Sequence, residues 1–278
     1  LAETSSDIGR MRILIRTSKW AIWARRLGSF AIPMLVIPLV LHRGRLIESP
    51  TFVAIEMVTL AIAAMGLLAA LIAYGRLWVT GDQGWLKATW GLGFSLLCLA
   101  PFGYLGAMAV RYPRVSEVST NSANPVPLST TRSVAPMDEA TLARIASRFP
   151  NATTRSYPLD TVALFDMVQD LVAERGWDIR TRRAPQDGGE TGALTAMAMT
   201  PFGFVDEVAI RVAPAPTGAN VDMRSVPTFA FHDFGSDGER VEDFLLALDR
   251  AVTLALRNVP QGTPSDTGDT DATAPAQD

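Results

Sequence analysis

The sequence predicts a membrane-anchored α+β chain: two or three N-terminal transmembrane helices, then an antiparallel sheet in the order β-α-β-β-β-β-α with helices on one face. Three observations predict it. Residues 27–110 are dominated by Ala, Leu, Ile, Val, Met and Gly, whereas residues 111–278 have the composition of an acidic soluble domain. Between residues 153 and 225, runs of alternating apolar and polar residues are broken by Pro/Gly turns, the pattern of half-buried strands joined as hairpins. Two stretches, 160–176 and 236–256, repeat apolar residues at the period of a helix with one buried face.

Charge divides the chain in the same way. The first 110 residues carry ten Lys/Arg and five Asp/Glu (+5), and the rest fifteen Arg and twenty-three Asp/Glu (−8), beneath a net charge of −3. The acidic part has no basic stripe to meet phosphates, so nucleic acid is not an expected partner. Cys98 is the only cysteine, which excludes a disulfide within the chain. The two histidines, His42 and His232, are separated by membrane segments, so no His/Cys metal cluster and no cofactor are expected.

Residues 1–26 read as a basic cytoplasmic flank, with Arg12, Arg16, Lys19, Arg25 and Arg26. The apolar run at 27–41 would span about 22 Å as a helix, against a hydrocarbon core of about 30 Å. It is either the apolar region of a signal peptide or a retained helix extended backwards through residues 20–24 and bent by Pro33 and Pro38. The absence of a small-x-small cleavage pattern at 42–45 favours retention. Residues 51–75 and 88–110 are each long enough to span. Between them Arg76, Trp78, Asp82, Trp85 and Lys87 read as a short cytoplasmic loop with interfacial tryptophans. That orientation sends everything after residue 111 to the periplasmic side of a bacterial inner membrane. Glu56, about a turn into the second helix, is expected to reach water at the outer interface rather than to carry an ion or proton. Gly66 with Ala70, and Gly103 with Gly106, are expected to allow close helix packing.

Residues 111–137 are rich in Ser, Thr, Asn and Pro and predict a linker that is extended or wraps a surface. A soluble domain follows at 138–257. Asp138 opens a short helix with Leu142, Ile145 and Phe149 on one side. A strand at 153–159 leads to Asp160, which caps a helix with Leu164, Met167, Val168, Leu171 and Val172 inward and Gly176 at its end. Strands are predicted at 177–183, 194–200 and 204–212, and a further one around 221–225. On the last pair Val208, Ile210 and Val212 share one face, and Val221, Met223 and Ser225 continue it. Matching faces pairs Val212 with Val221, Ile210 with Met223 and Arg211 with Asp222. Glu207, Arg211, Asp222 and Arg224 then share the other face, as a solvated charge ladder or as a polar patch that touches a ligand. Asp206 falls on the inner parity, which requires a bulge or hydrogen-bonded ties. Ser236 and Glu239 form a capping-box pattern ahead of a final helix whose stripe is Val241, Phe244, Leu245, Leu248 and Val252. Residues 258–278 predict a disordered acidic tail.

These motifs resemble a bacterial and plastid domain-of-unknown-function family, number 1499. The resemblance is carried by VSEVSTNSANPVPL (115–128), ERGWDI (174–179), TPFGFVDEVAIRV (200–212), VDMRS (221–225) and DFGSDGERVEDFL (233–245). It covers roughly residues 111–256 and implies a fold and membrane segments ahead of the domain, but no activity. Two departures from the family pattern are Asp237, where Asn is usual, and the more apolar stretch at 226–232.

No catalytic residue is assigned: the sequence holds no Gly-rich phosphate loop, nucleophile elbow or activating His or Cys. The expected function is a noncatalytic binding or scaffolding module whose partners are the lipid bilayer and an envelope protein or small ligand. The alternative is an enzyme or anion-binding domain using the Arg211/Arg224/Asp206 surface, since arginine binds anions bidentately. The candidate ligand-binding residues are Asp206, Arg211, Arg224, Ser225 and Asp233.

Overall fold

The computed structural model describes residues 17–112, 117–129, 137–229 and 234–258. Most of the basic flank, Asp233 and the acidic tail after Asn258 lie outside the described residues.

Three helices, α1 (Lys19–Arg43), α2 (Ser49–Thr80) and α3 (Trp85–Arg111), are each long and apolar enough to cross a membrane. Each runs past its apolar run into polar flanks, because the i to i−4 hydrogen-bond ladder does not stop where hydropathy falls. For α1 this is the backward extension through residues 20–24. Its Ala21, Ala24, Gly28 and Ala31 are buried together with Ala63, Gly66, Ala70 and Ala73 of α2 and Ala88, Gly91, Ser95 and Cys98 of α3. In lipid, helices associate by close packing, and small residues let the backbones approach. A methyl group added at Gly66 would sit 2.5 Å from Ser95 Oγ. Gly103 and Gly106, expected to form a second packing patch, face open space and play no part in this seam.

Glu56 also differs from expectation. With Phe52, Thr59 and Ala63 it occupies the inward face of α2, at helical spacing, and is only 9% exposed. Neither of its oxygens has a hydrogen-bond partner among the described residues, whereas Thr59 donates to the carbonyls of Ile55 and Met34.

The domain is built from β1 (Val118–Ser119), α4 (Glu139–Arg148), β2 (Arg155–Tyr157), α5 (Thr161–Glu174), β3 (Asp178–Arg183), β4 (Gly192–Met199), β5 (Val205–Ala215), β6 (Gly218–Pro227) and α6 (Ser236–Asn258). The sheet runs β1-β6-β5-β4-β3 with every pair antiparallel, and β2 lies beside β1 on the same edge of β6. Val212 pairs with Val221, Ile210 with Met223 and Arg211 with Asp222, as the alternation predicts. One core unites the inner faces of β4, β5 and β6 with Ile145 of α4, Leu164, Phe165, Val168 and Val172 of α5, and Val241, Phe244, Leu245 and Leu248 of α6. Each large apolar side chain buried there contributes about 1.5–3 kcal/mol. Asp138 and Asp160 cap α4 and α5 by accepting from the backbone N–H groups of Thr141 and Ala163.

The β5–β6 turn is two residues, Pro216 and Thr217, tighter than the sequence suggested. Gly218 follows at φ +138, and a side chain there would overlap the carbonyl of Tyr157 on β2. Only glycine lets β2 close on β6 at that point.

Candidate functional site

Three polar constellations stand out, and the predicted site residues are divided among them. Residues of opposite parity on β5 and β6 face opposite sides of the sheet. Asp206 and Ser225 therefore point toward the helices, and Arg211 and Arg224 point away.

On the helix face, Asp206, Ser225, Asp237 and Arg240 form one buried network. Arg240, 12% exposed by side chain, donates from Nη2 to Asp206 Oδ2 at 2.5 Å and from Nη1 to Asp237 Oδ1 at 2.6 Å. The same Nη1 lies 2.7 Å from Ser225 Oγ, whose hydroxyl donates to Asp237 Oδ1 at 2.6 Å. Burial works against the Arg240 charge, but the two carboxylates outweigh it and raise its pKa. No bulge is needed for Asp206, because the β4–β5 and β5–β6 registers run unbroken through it. The hydrogen-bonded alternative is the one adopted.

On the opposite face, Arg211 donates to Asp222 Oδ2 at 2.6 Å and to the carbonyl of Asn124 at 2.9 Å. Arg224 makes a two-pronged pair with Glu117 Oε2 and also donates to the Val126 carbonyl. Glu207 accepts from Ser129 through both its backbone N–H and its hydroxyl. Asp222 Oδ1 accepts from Thr154 at 2.6 Å. These charges are not a solvated ladder: Glu207 and Asp222 are buried beneath residues 120–129, which cross this face after β1, and Glu117 just before β1 is buried as well. The segment expected to be a linker or wrap is thus a strap built into the domain, held mainly by the charged residues expected to greet a ligand.

The third constellation joins the domain to the helices. His42, buried near the end of α1, stacks flat on Phe52 of α2 at 4.4 Å and meets Phe204 edge-on at 4.9 Å. Its Nδ1–H donates to the Phe202 carbonyl at 2.9 Å, and its Nε2 lies within hydrogen-bond distance of the Ser49 hydroxyl at 3.0 Å. Arg43 donates to the Pro201 carbonyl at 2.5 Å. Gly203, at φ +89, allows the β4–β5 turn to lie directly on Arg43 and His42. At the other attachment, Tyr112 after α3 is buried against Phe149 and donates to Glu239, while Arg148 lies 4.4 Å over its ring. The Glu239 hydrogen bond raises the Tyr112 pKa, and burial adds to that.

Sequence reasoning missed Arg240, Glu117 and His42. A signal existed for the first: Asp206 on an inner strand position and Asp237 on the apolar stripe of α6 both require a buried base. For Glu117 and His42 the partners are a distant arginine and a backbone carbonyl, and neither leaves a local pattern.

No curated protein and no solved structure matches the chain. Residues 117–248 match the model of a family described as "Protein of unknown function (DUF1499)". That span starts at the partner of Arg224 and ends at a core leucine of α6, taking in the strap, the sheet and the helices as one unit. The likeness to this family lies in the domain, which follows three helices apolar enough to cross a membrane.

Proposed function

We propose that this is an inner-membrane protein of the bacterial envelope whose domain lies on the periplasmic side and acts as a noncatalytic binding or scaffolding module. The observation that carries this reading is the engagement of Asp206, Arg211, Arg224 and Ser225 with neighbours in the same chain. Side chains that would have to hold or attack a substrate are tied into the fold, which leaves recognition to surfaces rather than to a reactive pocket. Orientation is supported by the basic residues. Lys19, Arg25, Arg26, Arg76 and Lys87 lie toward the bundle end remote from the domain, where Ser18 N–H bonds the Gln83 carbonyl, against Arg43, Arg45 and Arg111 at the domain end.

Two measurements test it. A phosphatase fused after Asp278 is expected to be active, and a fluorescent protein that folds only in the cytoplasm is expected to stay dark; the reverse pattern overturns the topology. Purification of the full chain in detergent is expected to yield a stoichiometric partner or a co-purified ligand, and repeated recovery of the chain alone defeats the binding reading.

A further inference from the structure

We infer that the membrane-proximal rim of the domain is itself a lipid-contacting surface, seated in the interfacial layer of the bilayer through Leu46, Met199 and Phe229. The inference rests on α1, α2 and α3 spanning the membrane. The apolar run of α1 ends at residue 41, and His42 and Arg43 follow at the boundary. The β4–β5 turn is bonded to those two residues through the carbonyls of Phe202 and Pro201. The turn therefore stands at the level where the helices leave hydrocarbon, not at the end of a tether. At this level the domain exposes apolar side chains. Met199, next to the turn, is 41% exposed, and Phe229, stacked on Phe204 at 6.2 Å, is 37% exposed. Leu46, between α1 and α2, is 74% exposed.

Single exposed apolar residues are ordinary on a soluble surface. Here three share the height of a helix end, beside the exposed Arg43, Arg45 and Arg111, and the adjoining turns of α1 and α2 expose Ile37, Val40 and Val53. Apolar tips with arginines around them match the chemistry of the headgroup and upper acyl region, where apolar groups insert and cations meet phosphate. The far end of the sheet differs: the β5–β6 turn there is Pro216 and Thr217, both exposed.

The test uses nitroxide labels on the full chain in phosphatidylcholine/phosphatidylglycerol vesicles, with Cys98→Ala removing the only native cysteine. Should that variant fail to fold, Cys98 stays in place and the signal of the unmutated parent is subtracted. Labels go on Leu46→Cys, Met199→Cys and Phe229→Cys, with Thr217→Cys as the aqueous reference and Leu68→Cys, 57% exposed in mid-α2, as the hydrocarbon reference. The expected result is an oxygen-to-nickel-chelate accessibility ratio at residues 46, 199 and 229 several-fold above that at 217 and below that at 68. Ratios at 199 and 229 equal to that at 217 overturn the inference. Spin–spin broadening with loss of access to both reagents also overturns it, because a second copy then covers the rim. A water-like ratio at residue 68 instead defeats the reading of α2 as membrane-spanning, which keeps the two failures apart.

Discussion

At the scale of single residues, Arg240 matters most to the domain. It holds two buried carboxylates on its planar fork, and removing it takes two charge-assisted hydrogen bonds from a buried network. Arg240→Ala is expected to cost about 3–5 kcal/mol, read from denaturant unfolding of the full chain in detergent. Arg240→Lys is expected to recover only part of this, because an ammonium group cannot reproduce the fork geometry. Tyr157 gives a pH-dependent counterpart. Burial, and then the 2.7 Å hydrogen bond it donates to Asp249, raise its pKa above the ordinary value of 10.0. The folded chain therefore holds this proton more tightly than the unfolded chain. The stability that results is fully present below about pH 10 and is lost as the pH climbs toward the folded value. Tyr157→Phe is expected to lose about 1 kcal/mol at neutral pH and to show a shallower decline in alkali, followed by tyrosinate absorbance alongside unfolding.

At the scale of elements, the strap at 117–129 decides how the outer face of the sheet behaves. Its regular structure is two residues of β1, and polar ties to Arg211, Arg224, Glu207 and Asp222 do the rest. Arg224→Ala removes the partner of buried Glu117 and is expected to cost about 3 kcal/mol. Protease cleavage should rise within 120–129 while α1, α2 and α3 stay protected; cleavage spread evenly over the domain would count against a separable strap. The sheet beneath was legible because alternation has period two: placing Val208, Ile210 and Val212 inward left one register with β6. The strap was not. Glu117 and Arg224 are 107 positions apart in sequence, and a Ser/Asn/Pro-rich segment has no periodicity to show which face it covers. The same blindness hid the inward turn of Glu56. On α2 nearly every position is apolar, so the face turned toward its neighbours is set by the small residues of α1 and α3.

At the scale of the whole molecule, two attachments among the described residues fix the domain to the helices, the β4–β5 turn on His42 and Arg43 and the residue after α3, Tyr112. Gly203→Val places a branched side chain at a positive φ against the α1 backbone, at a cost of about 1 kcal/mol or more before any clash is relieved. It is expected to speed hydrogen exchange at 200–204 and in the α1–α2 turn while leaving β6 and α6 protected. Equal acceleration throughout the domain would mean that the contact supports the fold itself. With both attachments in place, α6 takes on a geometric role. It starts beside Tyr112, passes Tyr157 through Asp249, and ends at Asn258, a run of 23 residues that rises about 35 Å. It works as a strut: one continuous helix couples the attachment at Tyr112 to the edge strand at Tyr157, so a disturbance at either end is carried along its length.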